Sequence, residues 1–255
     1  MNDYNNNLGY VSVIMPAFNS ERFIKSSIDS VINQKYQFWN LLVINDGSTD
    51  NTASIVNAIS GFDDRVQLVN NQGVKGAAGA RNYGLECATG DYVAFIDSDD
   101  IWHPEKLLKQ LSIMRDKGAD FSYTSYEIID EYDDKKNSYI VPETIDYEKL
   151  LKQNVVGCST VIISRKLVER HRFTTEFYHE DYCMWLDFLK NQYNTVGIKE
   201  PLVKWRSISG SRSHDKRNSA KRRWQIYRVY LKLPFLKSLK FFLHYMFNGV
   251  KKHFM

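Results

Sequence analysis

Gly90-Asp91-Tyr92-Val93-Ala94-Phe95-Ile96-Asp97-Ser98-Asp99-Asp100 contains the most informative transition in the chain. Tyr92–Ile96 is an apolar run of strand length, and it leads directly into three carboxylates within four residues. Carboxylates this close repel one another unless a cation offsets them. Hard oxygen ligands suit Mn2+ or Mg2+, above all where phosphate oxygens complete the shell. The plainer alternative is a solvated turn with Asp100 capping the next helix. The position straight after a buried strand favours the metal, because ligands of parallel α/β sheets sit at the carboxyl ends of strands.

The flanking sequence supports such a sheet. Val11–Met15, closed by Pro16, and Leu41–Ile44, closed by Asn45-Asp46-Gly47-Ser48, read as buried strands. Residues 20–34 carry Phe23, Ile24, Ile28, Val31 and Ile32 at helical spacing. A helix from Thr52 to Ile59, a strand from Val66 to Val69 and a helix from Ala77 to Cys87 follow, and Pro104 opens another helix. This alternation predicts a mostly parallel α/β sheet flanked by helices. Farther on, Phe121–Ile129 and Val161–Ser164 read as strands, Glu131–Lys136 as a charged loop and Glu180–Lys190 as a helix. From Arg217 the chain reads as one or two amphipathic helices, so the expected division is a domain over 1–210 and a basic, aromatic tail over 211–255.

With 255 residues, 43% of them apolar and 25% charged, the chain can bury a full core. Cys87, Cys158 and Cys183 are odd in number and widely spaced, which argues against a disulfide framework or a zinc site and fits a reducing compartment. No secretory signal and no run of 18 apolar residues is visible, so a cytoplasmic location is expected. Charge is unevenly placed: residues 201–255 hold 14 Lys/Arg and one acidic residue, Asp215, whereas the remainder is net acidic. The tail interleaves Trp224, Tyr227, Tyr230, Phe235, Phe241, Phe242, Tyr245 and Phe247 with basic residues. That pattern favours an anionic membrane surface met through residues 217–255. An ordinary helix packed on the domain is the alternative, and no nucleic-acid motif is present.

Other motifs read either way. Asp46–Asp50 is a turn with a helix cap, or holds a carboxylate for a ribose or base. Gly73, Gly76 and Gly79, followed by Arg81 and Asn82, form a flexible loop or a phosphate-binding helix start, without GxGxxG or P-loop spacing. Glu180-Asp181 is an acidic helix start, or supplies a carboxylate that takes a proton from a hydroxyl nucleophile. The six histidines are scattered, and no GxSxG elbow occurs.

Taken in order, these stretches resemble the family 2 glycosyltransferases of GT-A fold, and among them bacterial O-antigen and capsule enzymes. The matching stretches are Val11–Asn19, Ile44–Asp50, Gly79–Leu85, Gly90–Asp100 and His179–Tyr182 with Trp185. The resemblance covers about residues 10–206. It implies that Pro16, Asn19, Asp46, Arg81 and Asp97 bind the nucleotide-sugar donor, with Arg81 near its diphosphate. It implies that Asp99 of the DxD motif reaches Mn2+ or Mg2+, that Asp181 is the general base, and that Glu180 and Trp185 shape the acceptor site. The implied reaction is inverting transfer of one hexose, glucose or galactose by preference, from a UDP-sugar to a lipid-linked N-acetylhexosamine on undecaprenyl diphosphate. The enzyme would then sit on the inner face of the bacterial inner membrane. Processive relatives carry QxxRW; here Arg223-Trp224 keeps its end but Ala220 replaces the Gln, which points to a single transfer. A donor such as UDP-GlcNAc or a dTDP-sugar, or a later polysaccharide acceptor, is the nearest alternative. A nucleotidyltransferase and a non-catalytic adaptor are the alternatives from other classes.

Overall fold

In the computed structural model, which describes residues 8–208 and 216–254, the aliphatic runs of the first hundred residues become the parallel half of one nine-stranded sheet. β1 (Val11–Ala17), β2 (Trp39–Asn45), β3 (Val66–Asn70) and β4 (Tyr92–Phe95) lie in the order β3-β2-β1-β4, all parallel. Seven consecutive buried residues in β2 match a strand covered on both faces. Alternate side chains of β1 supply opposite cores: Ile14 joins Leu42, Phe95 and Trp185, while Val13 and Met15 join Val43 and Ile28. The crossovers are α1 (Ile24–Ile32), α2 (Thr52–Ser60) and α3 (Ala77–Cys87).

The sheet continues past β4 as β8-β6-β9-β5, with β7 on the outer part of β6. These strands are β5 (Ile101–Trp102), β6 (Phe121–Ile129), β7 (Lys135–Tyr139), β8 (Ile162–Ser164) and β9 (Thr195–Arg206). The helices among them are α4 (Lys106–Lys117), α5 (Tyr147–Lys152), α6 (Arg165–Val168) and α7 (Glu180–Lys190). The charged loop expected over 131–136 gives way to β7 from Lys135, an exposed ribbon paired to β6. β9 is not anticipated by periodicity, since it contains Pro201 and charged residues. Pro201 is tolerated because it falls at an irregularity in the β6–β9 register, where a ladder donor is not required.

α8 (Lys216–Gln225) runs through a π-helical turn, Ile226–Tyr230, and is followed by α9 (Phe235–Phe254). Ile226, Tyr227 and Phe241 are buried in the same cluster as Tyr182 and Trp185. The Tyr227 hydroxyl donates to the Leu151 carbonyl at 2.5 Å. One side of the tail therefore completes the main core. The other side leaves Phe235, Leu236, Leu243, Met246 and Phe247 exposed. The boundary expected at 210/211 lies outside the described residues. Among those residues, no helix is long and apolar enough to cross a membrane.

Candidate active site

Strand β1 ends at Ala17 and β2 at Asn45, and a cleft of about 900 Å3 opens at these carboxyl ends. That is the size and place expected of a small-molecule site in this kind of sheet. Pro16, Asn19, Asp46, Arg81, Asp97, Asp99, Glu180 and Asp181 all line it. Eight of the nine site residues singled out in the sequence thus converge on one cavity from segments far apart in the chain.

Asn19, Asp46 and Pro16 form one end. Asn19 adopts φ 48, and its Oδ1 accepts the Thr49 N–H at 2.9 Å, which joins the ends of β1 and β2. Asp46 accepts the Gly76 N–H at 2.7 Å and the Asn71 Nδ2 at 2.6 Å. The glycine run, read either as a flexible loop or as a phosphate-binding helix start, is tied down by these bonds over the start of α3. A Cβ on Gly79 would stand 1.8 Å from the Val74 carbonyl oxygen, so only glycine fits beneath it.

The three clustered aspartates have separate environments. Asp97 donates its backbone N–H to the Ser159 hydroxyl oxygen at 2.9 Å, and its carboxylate accepts from Arg81 Nη2 at 2.6 Å. Asp100 turns inward: Oδ1 accepts the Arg206 N–H at 2.8 Å, and Oδ2 is buried without a hydrogen-bond partner. Burial, then Asp99 and Asp97, push its pKa well above the usual carboxylate range. Asp100 does not cap α4; Glu105 stands at that position. Asp99 lines the cleft, and its backbone carbonyl accepts from Arg206 Nε at 2.8 Å. Arg206 gave no local sequence signal, because its role depends on β9 pairing beside β6. It also reaches the Asp130 carbonyl and Asp133, clamping the acidic turn from below.

Arg81, expected beside the diphosphate, has its guanidinium 6% exposed and held between Asp97 and Glu180, each at 2.6 Å. It is a bridge in the cleft floor and does not present its charge to open solvent. Glu180 and Asp181 begin α7. Asp181 Oδ1 accepts the Tyr182 N–H at 2.7 Å. Burial and neighbouring Glu180 push the Asp181 pKa to about 7 against the opposing pull of Arg81. A carboxylate of that proton affinity suits a general base near neutral pH. Trp185 corrects the sequence reading: it is fully buried, stacked on Phe121 at 5.2 Å and flanked by Phe188 at 5.5 Å. It therefore anchors α7 in the core and does not itself line the cleft. Tyr178, not singled out before, and His179, quoted only as the start of a matching stretch, line the cleft just ahead of the acidic pair.

The residues present fit a divalent ion held in part by the donor. Among the described residues no cluster of three His, Cys, Asp or Glu side chains could hold one. Asp99 offers a hard oxygen donor at the cleft wall, the donor chemistry that Mg2+ and Mn2+ share with phosphate oxygens.

The profile of Glycosyl transferase family 2 matches residues 12–173. The chain is 40% identical to WfgD of Escherichia coli, a UDP-Glc:alpha-D-GlcNAc-diphosphoundecaprenol beta-1,3-glucosyltransferase, over 99% of this chain and 96% of that protein. It is 37% identical to WfaP of E. coli, of the same described activity, over 70% of each chain. The structure superposes on S. aureus TarS 1–349 in complex with UDP-GlcNAc with a TM-score of 0.73, at 18% identity, over 93% of this chain and 71% of that one. The fold is accordingly the GT-A fold, and the nucleotidyltransferase and adaptor readings are set aside. This chain belongs to glycosyltransferase family 2 and is a glycosyltransferase.

Proposed function

We propose that this enzyme transfers glucose from UDP-glucose to a hydroxyl of an N-acetylglucosamine carried on undecaprenyl diphosphate, forming a β-1,3 linkage in surface-polysaccharide assembly. The observation that carries the reaction type is Asp181, a carboxylate of near-neutral pKa in the same cleft as Asp46 and Asp99. The choice of sugar and acceptor is supported by likeness to WfgD and WfaP.

Asp46 and Asn19, with Pro16 beside them, hold the nucleotide end of the donor. Asp181 accepts the proton of the acceptor hydroxyl as its oxygen attacks the anomeric carbon from the face opposite UDP. An α-linked donor then gives a β-glycoside. A divalent ion held by Asp99 and the donor's phosphates would supply charge neutralisation on the departing diphosphate. The exposed apolar side of α9, flanked by Lys237 and Lys240, is suited to lie in the headgroup layer of the cytoplasmic leaflet. There it would keep the cleft beside a lipid-borne acceptor, with one sugar added per visit.

The test is a panel of UDP- and dTDP-sugars with Mn2+ and a synthetic lipid-diphosphate N-acetylglucosamine, read by mass spectrometry. One hexose added from UDP-glucose, β-1,3-linked by NMR, is the expected result. A protein that binds UDP yet gives no product from UDP-glucose would overturn the proposed substrates, and a product from UDP-galactose would replace the donor.

A further inference from the structure

α8 places two arginines against Tyr178 and Tyr182, on either side of the acidic pair in sequence. The Arg222 guanidinium lies 3.5 Å over the ring of Tyr178, which itself lines the cleft. Arg223 lies 3.7 Å over Tyr182 and is only 4% exposed. Its Nε and Nη1 are buried without hydrogen-bond acceptors. Among the described residues, no carboxylate pairs with either guanidinium. A buried cation met by tyrosine rings and hydroxyls, none of them charged, leaves an excess of positive charge at that place. Burial together with Arg223 and Arg222 holds the His179 pKa at about 4, so the imidazole next to the acidic pair stays neutral.

The same helix is tied to the exposed apolar surface. Trp224 packs edge-on against Phe235 at 5.9 Å and Phe242 at 5.3 Å, both on α9. α8 therefore meets the α9 apolar face through Trp224 and, by Arg222, meets Tyr178, whose ring packs on His179 just ahead of Glu180 and Asp181. A lipid-linked acceptor has the same sequence of chemistries: hydrocarbon, diphosphate, sugar, attacking hydroxyl.

We infer that Arg222, seated on Tyr178 and backed by the charge of Arg223, binds the diphosphate of the lipid-linked acceptor and so registers its sugar against Asp181. This rests on the lipid-diphosphate acceptor proposed above. Arg222 is half-buried where Arg223 is buried, so it is the more accessible donor of the two, and a guanidinium matches phosphate oxygens in bidentate geometry. Arg223 shapes the potential without direct contact.

The experiment compares wild type, Arg222→Ala and Arg222→Lys in neutral detergent, using two N-acetylglucosamine acceptors. One carries a short lipid diphosphate and the other a phosphate-free alkyl chain of equal length. Arg222→Ala is expected to raise the KM of the diphosphate acceptor about tenfold, the loss of one charge-assisted contact. Arg222→Lys should recover part of that, and the KM of UDP-glucose and of the phosphate-free acceptor should move less than twofold. Equal loss on both acceptors would mean that Arg222 only props Tyr178, and would overturn the inference. An unchanged KM in detergent with weakened binding to anionic vesicles would assign Arg222 to bilayer headgroups instead. If wild type shows no preference for the diphosphate acceptor, the proposed acceptor fails first and this inference falls with it.

Discussion

Asp181→Asn separates chemistry from folding in one substitution. The amide keeps the size of the side chain and the oxygen that accepts the Tyr182 N–H, so the start of α7 should be retained. It removes the proton acceptor, and kcat should fall by about 10²–10⁴ with the UDP-sugar KM little changed. Stability should move the other way. The folded state holds the Asp181 proton up to about pH 7, whereas the unfolded chain releases it near pH 3.9, roughly the ordinary aspartate value. Because the folded state binds more protons across that window, stability falls as pH rises from about 4 to 7. The full displacement corresponds to at most about 4 kcal/mol. Glu180 beside it and partial solvent contact reduce the expected cost to about 1–3 kcal/mol. At pH 8 the Asn variant should therefore melt about 3–10 °C higher than wild type, with the gap closing toward pH 4. Single-turnover kinetics and melting curves across that pH range read both effects. A variant that melts lower at pH 8, or keeps more than a tenth of wild-type kcat, would refute the reasoning.

Replacing Arg81 by Met leaves Asp97 and Glu180 without their shared cation, a loss of about 3 kcal/mol or more expected on breaking a buried ion pair. Melting temperature should drop, and the acid limb of the wild-type rate profile should move to higher pH because Arg81 no longer opposes protonation of Asp181. Gly84→Ala places a Cβ 2.6 Å from Ile14 Cγ2, and should cost about 1–3 kcal/mol of stability, read by chemical denaturation. Leu243→Ser with Phe247→Ser changes two exposed side chains, at 60% and 70%. It should weaken binding to anionic vesicles at least tenfold in a flotation assay, with the melting temperature unchanged. Deleting the tail is a poorer test of membrane binding, because it would strip Ile226, Tyr227 and Phe241 from the core.

Much of the architecture was legible wherever local pattern and burial agree. The ends of α3 and α7 fall where the sequence reading places them, and Leu41–Ile44 of β2 and the whole of β4 are unbroken apolar runs. β9 was not legible, since Pro201 and four charged residues hide a strand made by its pairing with β6. The site shows the same division. Carboxylates at strand ends announce themselves in sequence, but their partners do not: Arg81 and Glu180 are 99 residues apart, and Arg206 and Asp99 are 107 apart. Trp185 misled because an aromatic one turn beyond Asp181 can face either the cleft or the core. The aromatic neighbours that draw it inward, Phe95, Phe121 and Phe173, come from distant segments.

The charge pattern of the cleft bears on how a doubly charged diphosphate is admitted. Asp46, Asp97, Asp99, Glu180 and Asp181 line it, and the lining arginines are already engaged: Arg81 with Asp97 and Glu180, Arg206 with Asp133, and Arg22 with Glu131. A diphosphate entering this set of carboxylates is repelled unless it brings a cation, so donor and divalent ion should bind as a pair. UDP titrated by calorimetry should therefore bind at least tenfold more weakly after chelation than with Mn2+ present. Asp99→Ala should remove that metal dependence and nearly all turnover while leaving the melting curve in place. UDP affinity indifferent to chelation, or turnover retained with chelator present, would mean that cations of the protein itself neutralise the leaving group. The bridge formed by Arg81 would then be the first place to look for a guanidinium that changes partners.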